Sequence, residues 1–133
     1  MSTKKELIKY RINKSWDIFQ EAEILFKARK KSGTINRLYY SLFNMIIAIL
    51  LLKDIHVKTH KGIYLKFSQF FIKTGIFSIE LSKLFNTLLS YRQNADYENF
   101  QDIDLAEVEL LKSRTKLALE ELENYIRQNL DKT

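Results

Sequence analysis

Ile8, Ile12, Trp16, Phe19, Ala22 and Phe26 recur at steps of three or four residues, the spacing that lines up side chains on one face of an α-helix. They predict a long amphipathic first helix that stops near KARKKSG, where basic side chains meet the carbonyl end and a glycine follows. Thr34 is the expected cap of a second helix reaching about Lys53, and Thr59 the cap of a short third helix carrying Ile63, Phe67, Phe70 and Phe71. After Gly75, Ser78 opens a fourth helix with Leu81, Leu84, Phe85, Leu88 and Leu89, expected to stop near Arg92. Asp102 or Asp104 opens a fifth, with a stripe of Leu105, Val108, Leu111, Thr115, Ala118, Leu122 and Tyr125. Proline is absent, and Gly33, Gly62 and Gly75 read as punctuation between helices. No stretch alternates with period two long enough to predict a strand. The fold class expected is all-α: one domain over 1–133, an antiparallel, up-and-down bundle of four to five helices.

The second helix sorts its residues by chemistry. At about 100° per residue, Asn36, Arg37, Tyr40, Ser41 and Asn44 share an arc of about 140°, and apolar residues fill the rest. Past Asn44 the same arc continues as Ile47, Ala48 and Leu51, so the second half is apolar all round. Such a half-helix belongs at the centre of the bundle or in a dimer interface. Its most apolar run, Met45 to Leu52, is too short for a membrane span, and no membrane association is expected.

Composition narrows the function. Cysteine is absent, which removes disulfides, thiolate metal sites and cysteine nucleophiles and suits a reducing compartment. The start, MSTKKELIKYRINKSW, is charged at helical spacing and has no apolar signal core, so a cytoplasmic location is expected. The net charge of +6 is uneven: residues 1–75 hold 15 Lys/Arg against 5 Asp/Glu, residues 76–133 hold 7 against 11. One half is therefore +10 and the other −4, a polarity that attracts nucleic acid to the basic part, lets opposite ends dock together, or simply solvates helix faces.

Few residues offer chemistry. His56 and His60 have i, i+4 spacing, but HVKTHKG straddles a loop and a helix start and no carboxylate completes a site, so no metal is expected. His60 is read instead as a polar group at a helix N-terminus, bonded to backbone or to a neighbouring side chain. There is no G-x-S-x-G and no glycine-rich phosphate loop. Asp102, Asp104, Glu107 and Glu109 suit a helix N-terminus without catalysis. LLSYRQNADYENF, residues 88–100, leaves two readings open. In one, Arg92 caps the carbonyls of the fourth helix while Asn94, Asp96 and Tyr97 make a turn. In the other, Arg92 grips a phosphate and its polar neighbours orient a nucleotide or RNA strand.

Three motifs occur in order: N-R-x-Y-Y-x-x-F as Asn36, Arg37, Tyr39, Tyr40 and Phe43; T-H-K-G as Thr59 to Gly62; and R-x-x-A-D-Y as Arg92, Ala95, Asp96 and Tyr97. From roughly residue 10 to residue 125 the chain resembles the HEPN superfamily. That resemblance implies a helical bundle that dimerises so that arginine-bearing helix ends share a cleft. It further implies a metal-independent ribonuclease, often a toxin paired with a nucleotidyltransferase antitoxin of the MNT type, with no cofactor.

The superfamily signature is an arginine, often followed by a polar residue, then a histidine four to six residues later. Arg92 and Gln93 match its start, but Tyr97 stands where the histidine is expected, and residues 98–100 hold none. Tyrosine, with a pKa near 10, is a poor base at neutral pH, whereas histidine, near 6.5, is suited to taking a 2′-hydroxyl proton. The resemblance thus implies a catalytic set of Arg92, Asp96 and Tyr97, with His60 supplying the imidazole if the third helix begins near Arg92. Asn36, Arg37, Tyr40, Asn44, Lys61 and Gln93 are the expected nucleotide- or RNA-contacting residues. A non-catalytic module binding nucleotide, RNA or a partner through the same cleft is the alternative that the missing histidine raises. In some superfamily pairs the partner transfers AMP to a tyrosine just beyond the histidine, which makes Tyr97 a lead for modification.

Overall fold

The computed structural model describes residues 3–93 and 103–132; Asp96 and Tyr97, with Asn94, Ala95 and Asp102, lie outside the described residues. The described chain is helical throughout: α1 (Lys4–Lys27), α2 (Lys31–Leu52), α3 (His60–Phe67) continued by a π-helical turn (Ser68–Ile72), α4 (Ile79–Gln93), and α5 (Leu105–Asn129) closed by a 3₁₀ turn (Leu130–Lys132). The five-helix expectation holds.

The periodic residues read from the sequence form the core. Ile8, Ile12, Phe19 and Ala22 of α1 and Val108, Leu111, Thr115, Ala118 and Leu122 of α5 are buried. They close on α2, fifteen of whose 22 residues are buried, including every residue from Met45 to Leu52 except the half-buried Ile47. The helix that is apolar all round is the central one. By length and composition α2 is apolar enough to cross a membrane, but 78 % of its most apolar window is buried within the bundle. Its apolar surface is consumed by α1, α4 and α5, which pack around it.

Side-chain bonds fix the directions of the helices. Lys4 Nζ donates to the Leu52 carbonyl, Arg11 Nη1 to Asn44 Oδ1 and Ser15 Oγ to the Ser41 carbonyl, so the start of α1 lies beside the end of α2 and the two run antiparallel. Lys5 with Asp131 and Trp16 with Glu123 orient α5 against α1 in the same way.

The helix boundaries differ in part from the sequence reading. α2 begins at Lys31, so Thr34 does not cap it; Thr34 Oγ1 donates back to the Lys30 carbonyl inside the first turn. The chain reverses earlier, at Arg29, which takes a left-handed conformation with φ of 60°. Arg29 N–H bonds to the Phe26 carbonyl and Lys30 N–H to the Leu25 carbonyl, the paired closure of a Schellman motif. α2 ends in the same way: Asp54 has φ of 57°, its N–H reaches the Leu51 carbonyl, and Ile55 N–H reaches the Leu50 carbonyl. Of the three glycines, only Gly75, with φ of 81°, takes left-handed backbone.

Gly33 and Gly62 are accordingly corrected from punctuation to first-turn positions of α2 and α3. At Gly62 the reason is close approach: a Cβ there would stand 2.4 Å from Val57 Cγ1 and 2.8 Å from Thr59 Oγ1. Thr59 does cap α3, accepting from Gly62 N–H at 3.0 Å. The loop before α3 is thus pressed against the helix that it enters.

Gly62→Ala is expected to destabilise by about 1–3 kcal/mol through overpacking. Arg29→Gly, which relieves a left-handed non-glycine residue, should stabilise by about 1 kcal/mol. Urea unfolding of both variants beside the wild type measures these; a neutral Gly62→Ala would mean that Val57 yields freely.

Candidate functional site

Adjacent helical residues point about 100° apart, and α2 uses this at Tyr39 and Tyr40. Tyr39 enters the core with no exposed surface, while Tyr40 lies half-buried at the bundle's edge. Their rings meet edge to face at 5.1 Å. Arg92, in the last turn of α4, lays its guanidinium over both, with Cζ 5.1 Å from the Tyr39 centroid and 5.0 Å from that of Tyr40. Its Nη2 donates to Tyr40 Oη at 2.6 Å. The buried Arg92 Nε has no hydrogen-bond partner among the described residues. Arg92 therefore turns inward across the bundle instead of capping its own helix.

His60, the first residue of α3, reaches the same pair from the other side. Its Nδ1 lies 2.9 Å from Tyr39 Oη, and its ring stacks on Phe43 with centroids 4.3 Å apart. Burial pushes the Tyr39 phenol up to about 12, the Arg92 charge opposing and Tyr40 adding to the rise. The phenol is thus protonated at neutral pH, and a buried hydroxyl needs an acceptor. Assigning its proton to His60 Nδ1 leaves neutral His60 with its own proton on Nε2. Burial and then the positive charge of Arg92 hold His60 below its usual 6.5.

The walls of this cleft are basic. Asn36, Arg37, Arg92 and Gln93 line a depression of about 530 Å³. Arg37, Tyr40, Phe43 and Asn44, with Arg11 and Lys14, line the adjoining one of about 290 Å³. The two amides hold arginines in place: Asn36 Oδ1 accepts from Arg37 Nε and Nη2 at 3.1 and 2.7 Å, and Asn44 Oδ1 accepts from Arg11 Nη1 at 2.7 Å. Glu21, 3.2 Å from Arg37 Nη1, is the acid that meets this wall. The surplus of cations favours a polyanion, and an arginine fixed on one side can still present its remaining N–H groups to phosphate.

Of the residues singled out in the sequence, Arg92, His60, Asn36, Arg37, Tyr40, Asn44 and Gln93 come together here. Lys61 is exposed on α3, about 100° round the helix from His60. His56 lines a separate depression beside Leu7 and Tyr10, and no cluster of three metal-ligand side chains occurs among the described residues. Arg11, Lys14, the Tyr39 hydroxyl and the Phe43 ring were not anticipated as site groups. Lys14 follows Arg11 by three residues, which puts both on one face of α1; that periodicity was the available signal.

The fold defines a small all-α bundle whose central helix seats an arginine and an imidazole against one tyrosine pair, beside basic depressions. The HEPN domain model matches residues 8–127, and the chain belongs to that family. It is 33 % identical over 123 residues to "Putative toxin MJ0142" of Methanocaldococcus jannaschii, covering 92 % of this chain and 83 % of the relative. A "UPF0332 protein" of Thermotoga maritima is 32 % identical over 97 residues, 73 % of this chain and 74 % of the relative. "Putative toxin MJ0605" of M. jannaschii is 28 % identical over 107 residues, 76 % of this chain and 80 % of the relative.

His60 should titrate below 6.5, and Arg92→Ala should move it upward, because one of its two causes is removed. The sign for stability follows. With the folded value below the unfolded one, the contribution is complete above pH 6.5 and is lost as pH falls through the folded value. His60→Gln should flatten that loss. NMR titration of the imidazole and urea unfolding across pH provide the two measurements; an unmoved pKa in Arg92→Ala would place the two groups further apart than described.

Proposed function

We propose that this HEPN protein is a toxin-type protein that acts on RNA, gripping a phosphodiester between Arg92 and His60. The observation that carries the reading is their convergence. Arg92 from the end of α4 and His60 from the start of α3 are far apart in sequence, yet both rest on the Tyr39–Tyr40 pair. The family signature asks for an arginine and a histidine, and here the imidazole comes from α3, while Tyr97 fills the position in the linear motif. The basic walls support a polyanionic ligand, and the names of the two archaeal relatives support the toxin role.

In the cleavage reaction the 2′-oxygen bonds to phosphorus as the P–O5′ bond breaks; Arg92 stabilises the charge that builds on the phosphorane, and His60 takes the 2′-hydroxyl proton and returns it to the departing 5′-oxygen, with no metal required. Shared clefts in a homodimer and an MNT-type nucleotidyltransferase antitoxin complete the proposal; the +10/−4 polarity of the chain suits docking to an oppositely charged surface.

A second reading, capture of RNA without cleavage, is favoured by one bond. As a base, His60 needs a free lone pair on Nε2, but Tyr39 Oη lies 2.9 Å from Nδ1, and with that hydroxyl as donor the imidazole proton stays on Nε2. Catalysis would need that proton on Nδ1 and the buried Tyr39 hydroxyl turned to another acceptor. As an acid, His60 needs the imidazolium that burial and Arg92 disfavour.

Labelled single-stranded RNA in EDTA separates these outcomes. Both readings expect binding that weakens with salt and falls roughly tenfold or more in Arg92→Ala, as loss of a charged hydrogen bond implies. Cleavage abolished by His60→Ala selects the nuclease; retention of intact RNA selects capture. Binding untouched by Arg92→Ala would remove the cleft from RNA recognition altogether. Light scattering and co-expression with an MNT-type nucleotidyltransferase test the dimer and the partner, and a monomer that ignores the enzyme would exclude both.

A further inference from the structure

At the opposite end of α2 from Arg37 lies a second concavity, about 410 Å³ in volume, within the range of small-ligand sites. Its floor is aliphatic: Ile47, Leu50 and Leu51 of α2 with Ile63 of α3. Its walls are Leu7 and Tyr10 of α1, both exposed, and Ile55 and Val57 of the loop leading to α3. The rim carries Arg11, His56 and Lys58, and no carboxylate lines it among the described residues.

The concavity is built rather than incidental, because its loop wall is held at both ends. Lys4 Nζ bonds the Leu52 carbonyl at 2.9 Å and meets Asp54 Oδ1 at 3.2 Å. Ile55 N–H closes on the Leu50 carbonyl, which brings Ile55 onto the floor beside Leu50. At the far end, the space left by Gly62 admits Val57 against α3. The loop therefore keeps its apolar side chains turned inward before any ligand arrives.

An aliphatic floor under a rim that carries Arg11 and Lys58, with no carboxylate among the described residues, is complementary to one chemistry, an apolar body that ends in an anion. We propose that this concavity binds a small amphipathic carboxylate, its hydrocarbon part lying on Ile47, Leu50 and Ile63 and its carboxylate taken by Arg11 and Lys58. An RNA strand suits it less well, since the aliphatic floor of Ile47, Leu50, Leu51 and Ile63 provides no stacking surface for bases.

Arg11 links this site to the cleft. It borders both concavities and is held on the cleft side by Asn44 Oδ1 at 2.7 Å. A carboxylate that draws Arg11 to the apolar side takes a cation from the wall of the cleft. Ligand binding at one end of α2 and anion binding at the other then oppose each other.

Octanoate is the probe, with octanol and inorganic phosphate as controls, followed by amide and methyl NMR on the full chain. Saturable shifts at Leu7, Ile47, Ile55 and Val57 are expected with octanoate at millimolar concentration, and clearly weaker ones with octanol. Phosphate should perturb the Arg92 end instead. Lys58→Gln, at an exposed position that spares the core, should weaken octanoate roughly three- to tenfold, the range for a partly exposed charged contact. Arg11→Gln should do the same, and Arg92→Ala should leave octanoate affinity unchanged. Equal binding of octanol, shifts that never saturate, or shifts centred on Arg92 would each overturn the proposal.

Discussion

A helix apolar on every side is stable only where every side is covered, and α2 imposes that requirement on the whole chain. α1 answers it with an antiparallel partner of almost equal length, and α5 and α4 cover what remains. The two Schellman closures, at Arg29 and at Asp54, frame α2, so its position is fixed by backbone bonds as well as by burial. Each accepts a left-handed non-glycine residue, a strain of roughly 1–2 kcal/mol that the packing of α2 outweighs.

The site is a by-product of the same constraint. The first half of α2 keeps one polar arc, and the arc falls where the end of α4 and the start of α3 arrive. Tyr39 belongs to the core by its ring and to the cleft by its hydroxyl, so core packing and the protonation of His60 meet in one side chain. Arg92 is placed by cation–π contact with two rings that the core itself positions.

The helices were legible because periodicity reports burial, and burial decided the fold. Their starts were less so. Thr34 is a good capping residue by type, but the Schellman turn at Arg29 had already begun the helix at Lys31, and nothing in KARKKSG announces an arginine in left-handed backbone. Leu119 and Ile126 are buried beside the expected stripe of α5 because that helix meets α2 along a broader face than one residue per turn describes. At the site, motifs located Arg92, His60, Tyr40 and Asn36, which are local in sequence. The spacing of Arg11 and Lys14 puts them on one face of α1, but their place beside Tyr40 and the Tyr39–His60 bond depend on how α1, α2 and α3 are juxtaposed, and no linear spacing carries that.

The Nε of Arg92, which meets no acceptor among the described residues, has a thermodynamic meaning beyond recognition. Where a buried donor lacks an acceptor, the free energy of the folded protein is higher by about 1–3 kcal/mol, a tension held in the fold itself. On the proposed function, a phosphate oxygen that meets it would relieve the tension, so occupancy of the cleft and resistance to unfolding would rise together. The bundle is thereby a gauge of its own ligand: its melting temperature would report whether the cleft is filled.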